Sequence, residues 1–97
     1  MAILGAKQGK INFLRVHDAG GWGPPSDFID VECVIRFLGE PDKAYGFQLR
    51  VDPHGNAHSG MLDIVRDAFN HDWEIGINYW IEPDKKNGII IRVWLVK

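Results

Sequence analysis

Two histidines four residues apart, His54 and His58, are the closest approach in this sequence to a metal-binding motif. When such a segment is helical, this spacing places both imidazoles on one face, as in zinc proteases. Here Pro53, Gly55 and Gly60 argue against a helix. Neither a second cysteine nor an intervening glutamate completes a metal site. We therefore predict a solvated turn with two surface histidines and no metal ligand.

The other residues of catalytic type also favour structural roles. The pairs His17-Asp18 and His71-Asp72 are adjacent in sequence, and adjacent strand residues point to opposite faces, so their spacing does not make dyads. Cys33 lies among apolar strand residues, where a thiol packs as a small hydrophobic group. The glycines of segment 20–23 precede a strand rather than a helix, which rules out a phosphate-binding loop. We expect no enzyme and no cofactor.

Binding chemistry is better represented than catalysis. Trp22 lies in a loop of glycine and proline, where it either folds over the barrel as a lid or contacts a ligand. Lys85 and Lys86 lie in a second loop, and an aromatic ring beside cations suits a stacking platform for nucleic acid. The predicted ligand-binding residues are Trp22, Arg36, Arg50, Lys85 and Lys86.

The distribution of negative charge opposes that hypothesis. Asp30 and Glu32 lie on the outward face of a predicted strand and would repel phosphate. Arg36 and Arg50 are then more simply their salt-bridge partners across a hairpin. With 11 basic and 13 acidic residues the chain has a net charge of −2, so it lacks a basic stripe. Sequence-independent binding of nucleic acid would therefore be weak at physiological salt.

Hydrophobic periodicity predicts the elements that must position these side chains. Segment 28–38 gives the clearest signal, because its odd positions are all apolar while several even positions are charged. We predict strands over 10–17, 28–38, 45–51, 73–82 and 89–96, and a helix over 60–70 capped by Ser59. The predicted core contains Ile35, Phe47, Leu49, Val65, Phe69, Ile77 and Ile91.

Length and composition limit the domain organisation. The 97 residues suffice for one domain, with 1–9 as an N-terminal segment and 10–97 as the folded body. A single cysteine excludes an intramolecular disulfide framework. No apolar run is long enough to span a membrane, and the first residues lack a secretory core, so we expect a cytoplasmic protein.

The order of three strands, one helix and two strands resembles the OB-fold, a five-stranded Greek-key barrel. We therefore predict a mainly β chain, either an OB-like barrel or a strongly curved antiparallel sheet with one helix. The resemblance implies a ligand that crosses the second and third strands, between the first–second and fourth–fifth loops. An open antiparallel sheet with the helix across one face is the competing architecture.

The last two predicted strands send large apolar side chains away from the core. Four residues form the predicted interface: Trp80, Ile90, Arg92 and Trp94. Such clustering exceeds the scattered exposure of a monomer, so we predict a non-enzymatic binding or assembly module that forms a homo-oligomer. A weak binder of single-stranded nucleic acid or oligosaccharide is the alternative. A small hydrolase or metal enzyme that uses His54 and His58 is the third hypothesis.

Overall fold

A computed structural model describes residues 2–18 and 20–97; Met1, in the predicted N-terminal segment, and Ala19, in the first loop, lie outside them. The elements, in chain order, are β1 (Ile3–Val16), β2 (Cys33–Phe37), β3 (Tyr45–Phe47), α1 (Gly55–His71), β4 (Glu74–Ile81) and β5 (Gly88–Val96). The strands close into a barrel in the order β1-β2-β3-β5-β4. Because β3 and β5 run parallel, the sheet is mixed. The prediction of a mainly β chain with this element order is confirmed.

Strand β1 is longer than predicted and is shared between two neighbours. It begins at Ile3, and its first half pairs with β4 while its second half pairs with β2. The register shifts between Ile11 and Phe13, which marks a β-bulge. The bulge lets both Ile11 and Leu14 pack on the barrel core, whereas Phe13 packs on a separate outer cluster.

Strand β2 is shorter than the predicted segment 28–38. Only Cys33–Phe37 is a continuous strand, and Ile29 forms an isolated bridge with Trp22. The odd positions are buried as predicted, but they divide between two clusters. Cys33, Ile35 and Phe37 join the barrel core. The outer cluster consists of Ile29, Val31, Val34 and Ala44. The apparent single strand is thus a bridge segment followed by a strand.

The barrel interior and the inner side of α1 form one core. Of the predicted core, Ile35, Phe47, Val65 and Ile77 are buried, and Leu49 packs partly buried against them. Phe69 was placed in the core incorrectly, because it is 40% exposed. Helix α1 buries Met61, Val65 and Ala68, and Phe69 lies one residue beyond that stripe.

Helix α1 begins earlier than predicted. Ser59 lies inside the helix, and the N-cap residue is His54, which makes no side-chain capping bond. The prediction of a turn here is wrong for a physical reason: Pro53 precedes the helix, and Gly55 and Gly60 weaken a helix without preventing it. Among the described residues, no helix is long and apolar enough to cross a membrane.

A second register shift changes which residues of β5 face the core. Tyr79 pairs with Ile90 and Asn78 pairs with Arg92, so Ile91 is the extra residue of a bulge. Ile90, predicted to lie in the outward interface, is instead 2% exposed and packs in the barrel core. Ile91, predicted to be core, is 50% exposed. Both assignments fail because strict alternation does not continue through a bulge.

Candidate ligand-binding site

Trp22 packs on the outer surface of β1 and β2. Its backbone exchanges two hydrogen bonds of 2.9 Å with Ile29, which holds the loop against the barrel. The indole ring lies 5.7 Å from the ring of Phe13 and packs, half-buried, on the outer cluster. Trp22 is therefore a cover for this cluster that remains partly accessible to solvent.

Two guanidinium groups surround the Trp22 ring. Arg36 lies 4.8 Å from the Phe13 ring centre and 5.2 Å from that of Trp22, and Arg15 lies 5.4 Å from Trp22. Within residues 2–18 and 20–97, neither arginine forms a salt bridge. Arg36 Nε is buried and has no hydrogen-bond partner in the part of the chain that the structure describes. The predicted salt bridge of Arg36 is wrong, because no carboxylate of the described residues pairs with its guanidinium.

Trp22, Arg36 and Lys86 line one pocket, here called the cationic pocket, with a volume of about 450 Å³. Its remaining walls are Gly23, Pro24, Pro41, Asp42, Ala44 and Asn87. The pocket thus brings together three of the predicted ligand-binding residues from two loops and a strand. Arg15, which the sequence analysis missed, adds positive charge beside it. Arg15 comes after the bulge between Ile11 and Phe13 in β1. The hydrophobic pattern of the sequence does not indicate this bulge, so it did not predict where Arg15 lies.

The Asn87 side chain joins the β1–β2 loop to the β2–β3 loop at the wall of the pocket. Its Oδ1 accepts a hydrogen bond of 3.0 Å from the Ala44 N–H, and its Nδ2 donates one of 3.0 Å to the Asp27 carbonyl. The sequence predicts a hairpin loop over 83–88, in which Asn87-Gly88 is a typical hairpin dipeptide. A loop joins β4 to β5 there and turns at Asp84, where φ is 64°, and the Asn87 side chain is buried.

Arg50 lies outside the pocket and is neutralised. Its Nη2 donates hydrogen bonds of 2.6 Å to Glu32 and 2.6 Å to Asp30, and its Nε donates one of 3.0 Å to Glu32. Glu32 Oε1 also accepts a bond of 3.0 Å from the Leu49 N–H. The hydrogen bonds from Arg50 lower the pKa of Glu32 and of Asp30 below their ordinary values. Arg50 therefore has the salt-bridge role proposed as its alternative.

A second cavity, here called the aromatic cleft, lies beside the cationic pocket and has a volume of about 560 Å³. Strands β3 and β5 pair only at Tyr45–Gly88 and Gly46–Ile89, and residues on both sides of this seam line the cleft. Its walls include Phe28, Phe47, Gln48, His54, His58, Trp80, Glu82, Lys85, Asn87 and Ile89–Ile91. Lys85 is held there by Glu82 at 2.9 Å and by the Phe28 carbonyl at 3.0 Å.

Of the two histidines of the cleft, His54 is the N-cap residue of α1 and His58 lies in its first turn. The His58 N–H donates a 3.0 Å bond to the His54 carbonyl, and their rings stack with centres 6.0 Å apart. His58 Nδ1 lies 2.6 Å from the Gln48 carbonyl. No group of three or more metal-ligating side chains occurs in the described part of the chain.

The remaining residues of catalytic type occupy structural positions. Burial raises the pKa of the Cys33 thiol to about 12, which keeps the nucleophilic thiolate from forming. Both ring nitrogens of His17 are buried and have no hydrogen-bond partner among residues 2–18 and 20–97. His71 Nδ1 donates a 2.9 Å hydrogen bond to the Asp67 carbonyl, and its ring stacks on Trp73. None of these side chains lines either cavity.

The outward surface of β1, β4 and β5, here called the outer face, carries the rest of the predicted interface. Register places Trp80 beside Leu4, and Arg92 and Trp94 lie on the same surface. Leu4 is 74% exposed and Trp94 is 36% exposed. The Trp94 ring lies against Gly76, where a Cβ atom would overlap it.

Comparison of the chain with protein-family models, curated proteins and solved structures found no match. The features of the fold that bear on function are the two adjoining cavities and the outer face. Only the cationic pocket combines aromatic rings with cations that lack a carboxylate partner among the described residues.

Proposed function

We propose that this chain is a non-enzymatic binding module of the OB-fold class, and that single-stranded nucleic acid is its ligand. A ring of five strands with a helix between the third and fourth resembles that class. OB-fold ligands contact the second and third strands and the loops after the first and fourth. The cationic pocket has walls from β2 and from the β1–β2, β2–β3 and β4–β5 loops.

The uncompensated charge of the cationic pocket carries this proposal. Arg36 and Lys86 line the pocket and Arg15 stacks beside it, whereas Arg50 and Lys85 are paired with carboxylates. Positive charge is therefore concentrated in one sector of a chain whose net charge is −2. Guanidinium groups stacked on aromatic rings keep their N–H edges available for phosphate oxygens. Among the described walls of the pocket, Asp42 is the single acidic residue beside the two cations Arg36 and Lys86.

Fluorescence anisotropy with a labelled oligo(dT) tests the proposal. We expect binding at low salt that weakens as salt rises, since each phosphate contact adds about −0.7 to the logarithmic salt slope for a single strand. Arg36→Met, which keeps an unbranched apolar side chain, and Lys86→Gln should each weaken binding and reduce that slope. Arg66→Gln is the matched control, because Arg66 is exposed on α1 and pairs with Asp63. Absence of binding at low salt, or an equal effect of the control, contradicts the proposal.

Self-association through the outer face is a second candidate function. It is favoured by the exposure of Leu4 and Trp94 on one surface that also contains Trp80. Ile90 no longer contributes, because it lies in the barrel core. A second copy of the chain is the occupant that we propose for this face. The two functions are compatible, because none of these three residues lines the cationic pocket.

A further inference from the structure

His54 and His58 lie at the start of a helix, although the neighbouring Pro53, Gly55 and Gly60 argue against a helix there. His54 is the N-cap residue of α1 and His58 lies one helical turn later. The 3.0 Å bond from the His58 N–H to the His54 carbonyl shows that the turn between them is helical. Residues four apart on a helix share one face, and the imidazole planes of this pair are within 21° of parallel.

The tautomer of His58 is fixed by its surroundings. Its Nδ1 is 2.6 Å from the Gln48 carbonyl, and a carbonyl only accepts hydrogen bonds, so Nδ1 carries the proton. The lone pair of the neutral ring is therefore on Nε2. Histidines that bind metals commonly have this arrangement, in which a carbonyl orients the ring through the nitrogen that does not bind the metal.

We propose that His54 and His58 bind a divalent transition-metal ion at the aromatic cleft. Imidazole nitrogens suit zinc, nickel and copper ions, with metal–nitrogen distances of about 2.0–2.1 Å for zinc. The rings must approach more closely than their present 6.0 Å separation. His54 is exposed, so a change of its side-chain rotamer that closes this separation displaces no core packing.

Only the two imidazoles hold the ion, so its other coordination positions are open. Asp30 and Glu82 also line the cleft, but Arg50 and Lys85 already occupy these carboxylates. Water completes the coordination shell in the absence of a ligand. This site is independent of the proposed nucleic-acid function, because neither histidine lines the cationic pocket.

Isothermal titration of the untagged full chain with NiCl₂ tests the site, with ZnCl₂ and CuCl₂ as further probes. We expect one ion per chain. His54→Ala and His58→Ala should each weaken binding at least about tenfold, a loss that even outer-shell partners of metal ligands can produce. Copper should bind most tightly of the three ions.

His71→Ala is the matched control. His71 also has an Nδ1 bond to a carbonyl four residues earlier, but its ring stacks on Trp73 and not on a second histidine. His58 contacts Phe47, so a loss caused by His58→Ala alone does not distinguish lost metal ligation from lost packing. The exposed residue His54 separates the two explanations. The proposal is overturned if the wild type binds no ion, or if His54→Ala binds as the wild type does. Equal losses for His71→Ala and His54→Ala also overturn it.

Discussion

Residues of the same type take different roles according to the groups that compensate their charge. Arg50 donates to two carboxylates, whereas Arg36 stacks between Phe13 and Trp22 without a carboxylate partner in the described residues. Charge alternation along the strand predicted partners for both arginines. It could not separate them, because the groups that each guanidinium contacts depend on tertiary packing.

The buried carboxylate of Glu32 gives a prediction at this scale. Glu32→Gln keeps the shape of the side chain but removes the charge that accepts hydrogen bonds from Arg50. Bonds to charged groups contribute about 1.5–3 kcal/mol, so we expect a lower free energy of unfolding at pH 7. Urea titration followed by tryptophan fluorescence measures this change.

The pH dependence of the same variant provides its control. Hydrogen bonding lowers the pKa of folded Glu32 below the ordinary value of 4.5. Its stabilising contribution is therefore fully present above about pH 4.5 and is lost as pH falls through the folded pKa. The difference between the wild type and Glu32→Gln should shrink in acid. A difference that stays constant down to acid pH would show that the charge of Glu32 does not stabilise the fold.

At the scale of elements, the sequence predicted order and type better than boundaries. The alternation of β4 was assigned correctly: Ile75, Ile77 and Ile81 are buried. The predicted start of helix α1, at residue 60, is five residues later than the observed start at Gly55. Each glycine costs the helix about 1 kcal/mol, and the burial of Met61 and later residues offsets that cost. The two bulges were missed because an extra residue is specified by the partner strand rather than by local hydrophobicity.

The bulge in β5 can be tested with neighbouring isoleucines. Ile90 packs in the core and Ile91 is exposed. Ile90→Ala should therefore reduce the free energy of unfolding by about 2–5 kcal/mol, while Ile91→Ala should change it by only about 0.5 kcal/mol. Chemical denaturation of both variants checks the pair. A larger loss of stability for Ile91→Ala than for Ile90→Ala would show that β5 alternates strictly and contains no bulge.

Two glycines give opposite predictions for the same substitution. Gly60 lies inside α1, and a Cβ there meets no atom within 4 Å. Gly60→Ala should stabilise the protein by about 0.8–1 kcal/mol. A Cβ at Gly76 overlaps the Trp94 ring, so Gly76→Ala should destabilise it by about 1–3 kcal/mol. Thermal unfolding measures both. A neutral Gly76→Ala would mean that the Trp94 ring is not held against β4.

Considered as a whole molecule, the barrel separates its two candidate surfaces. The cationic pocket adjoins β2 and its flanking loops, whereas the outer face covers β1, β4 and β5. Trp80 and Trp94 were predicted on this face from parity alone. Trp22, Arg36 and Lys86 are distant in sequence and line one pocket because the strands close into a barrel. Association through the outer face would leave each pocket open, and linked pockets bind a polymeric ligand more tightly than single ones.

The oligomeric state tests the outer face directly. Burial of a large apolar side chain against a partner contributes about 1.5–3 kcal/mol, and closed symmetry repeats the contact. We therefore expect light scattering to show a homo-oligomer at micromolar concentration and Trp94→Glu to give a folded monomer. Phe69→Glu is the matched control: Phe69 is similarly exposed but lies on α1, so its substitution should leave the mass unchanged. A monomeric wild type refutes self-association, and an unfolded Trp94→Glu variant would show that Trp94 acts in packing rather than in an interface.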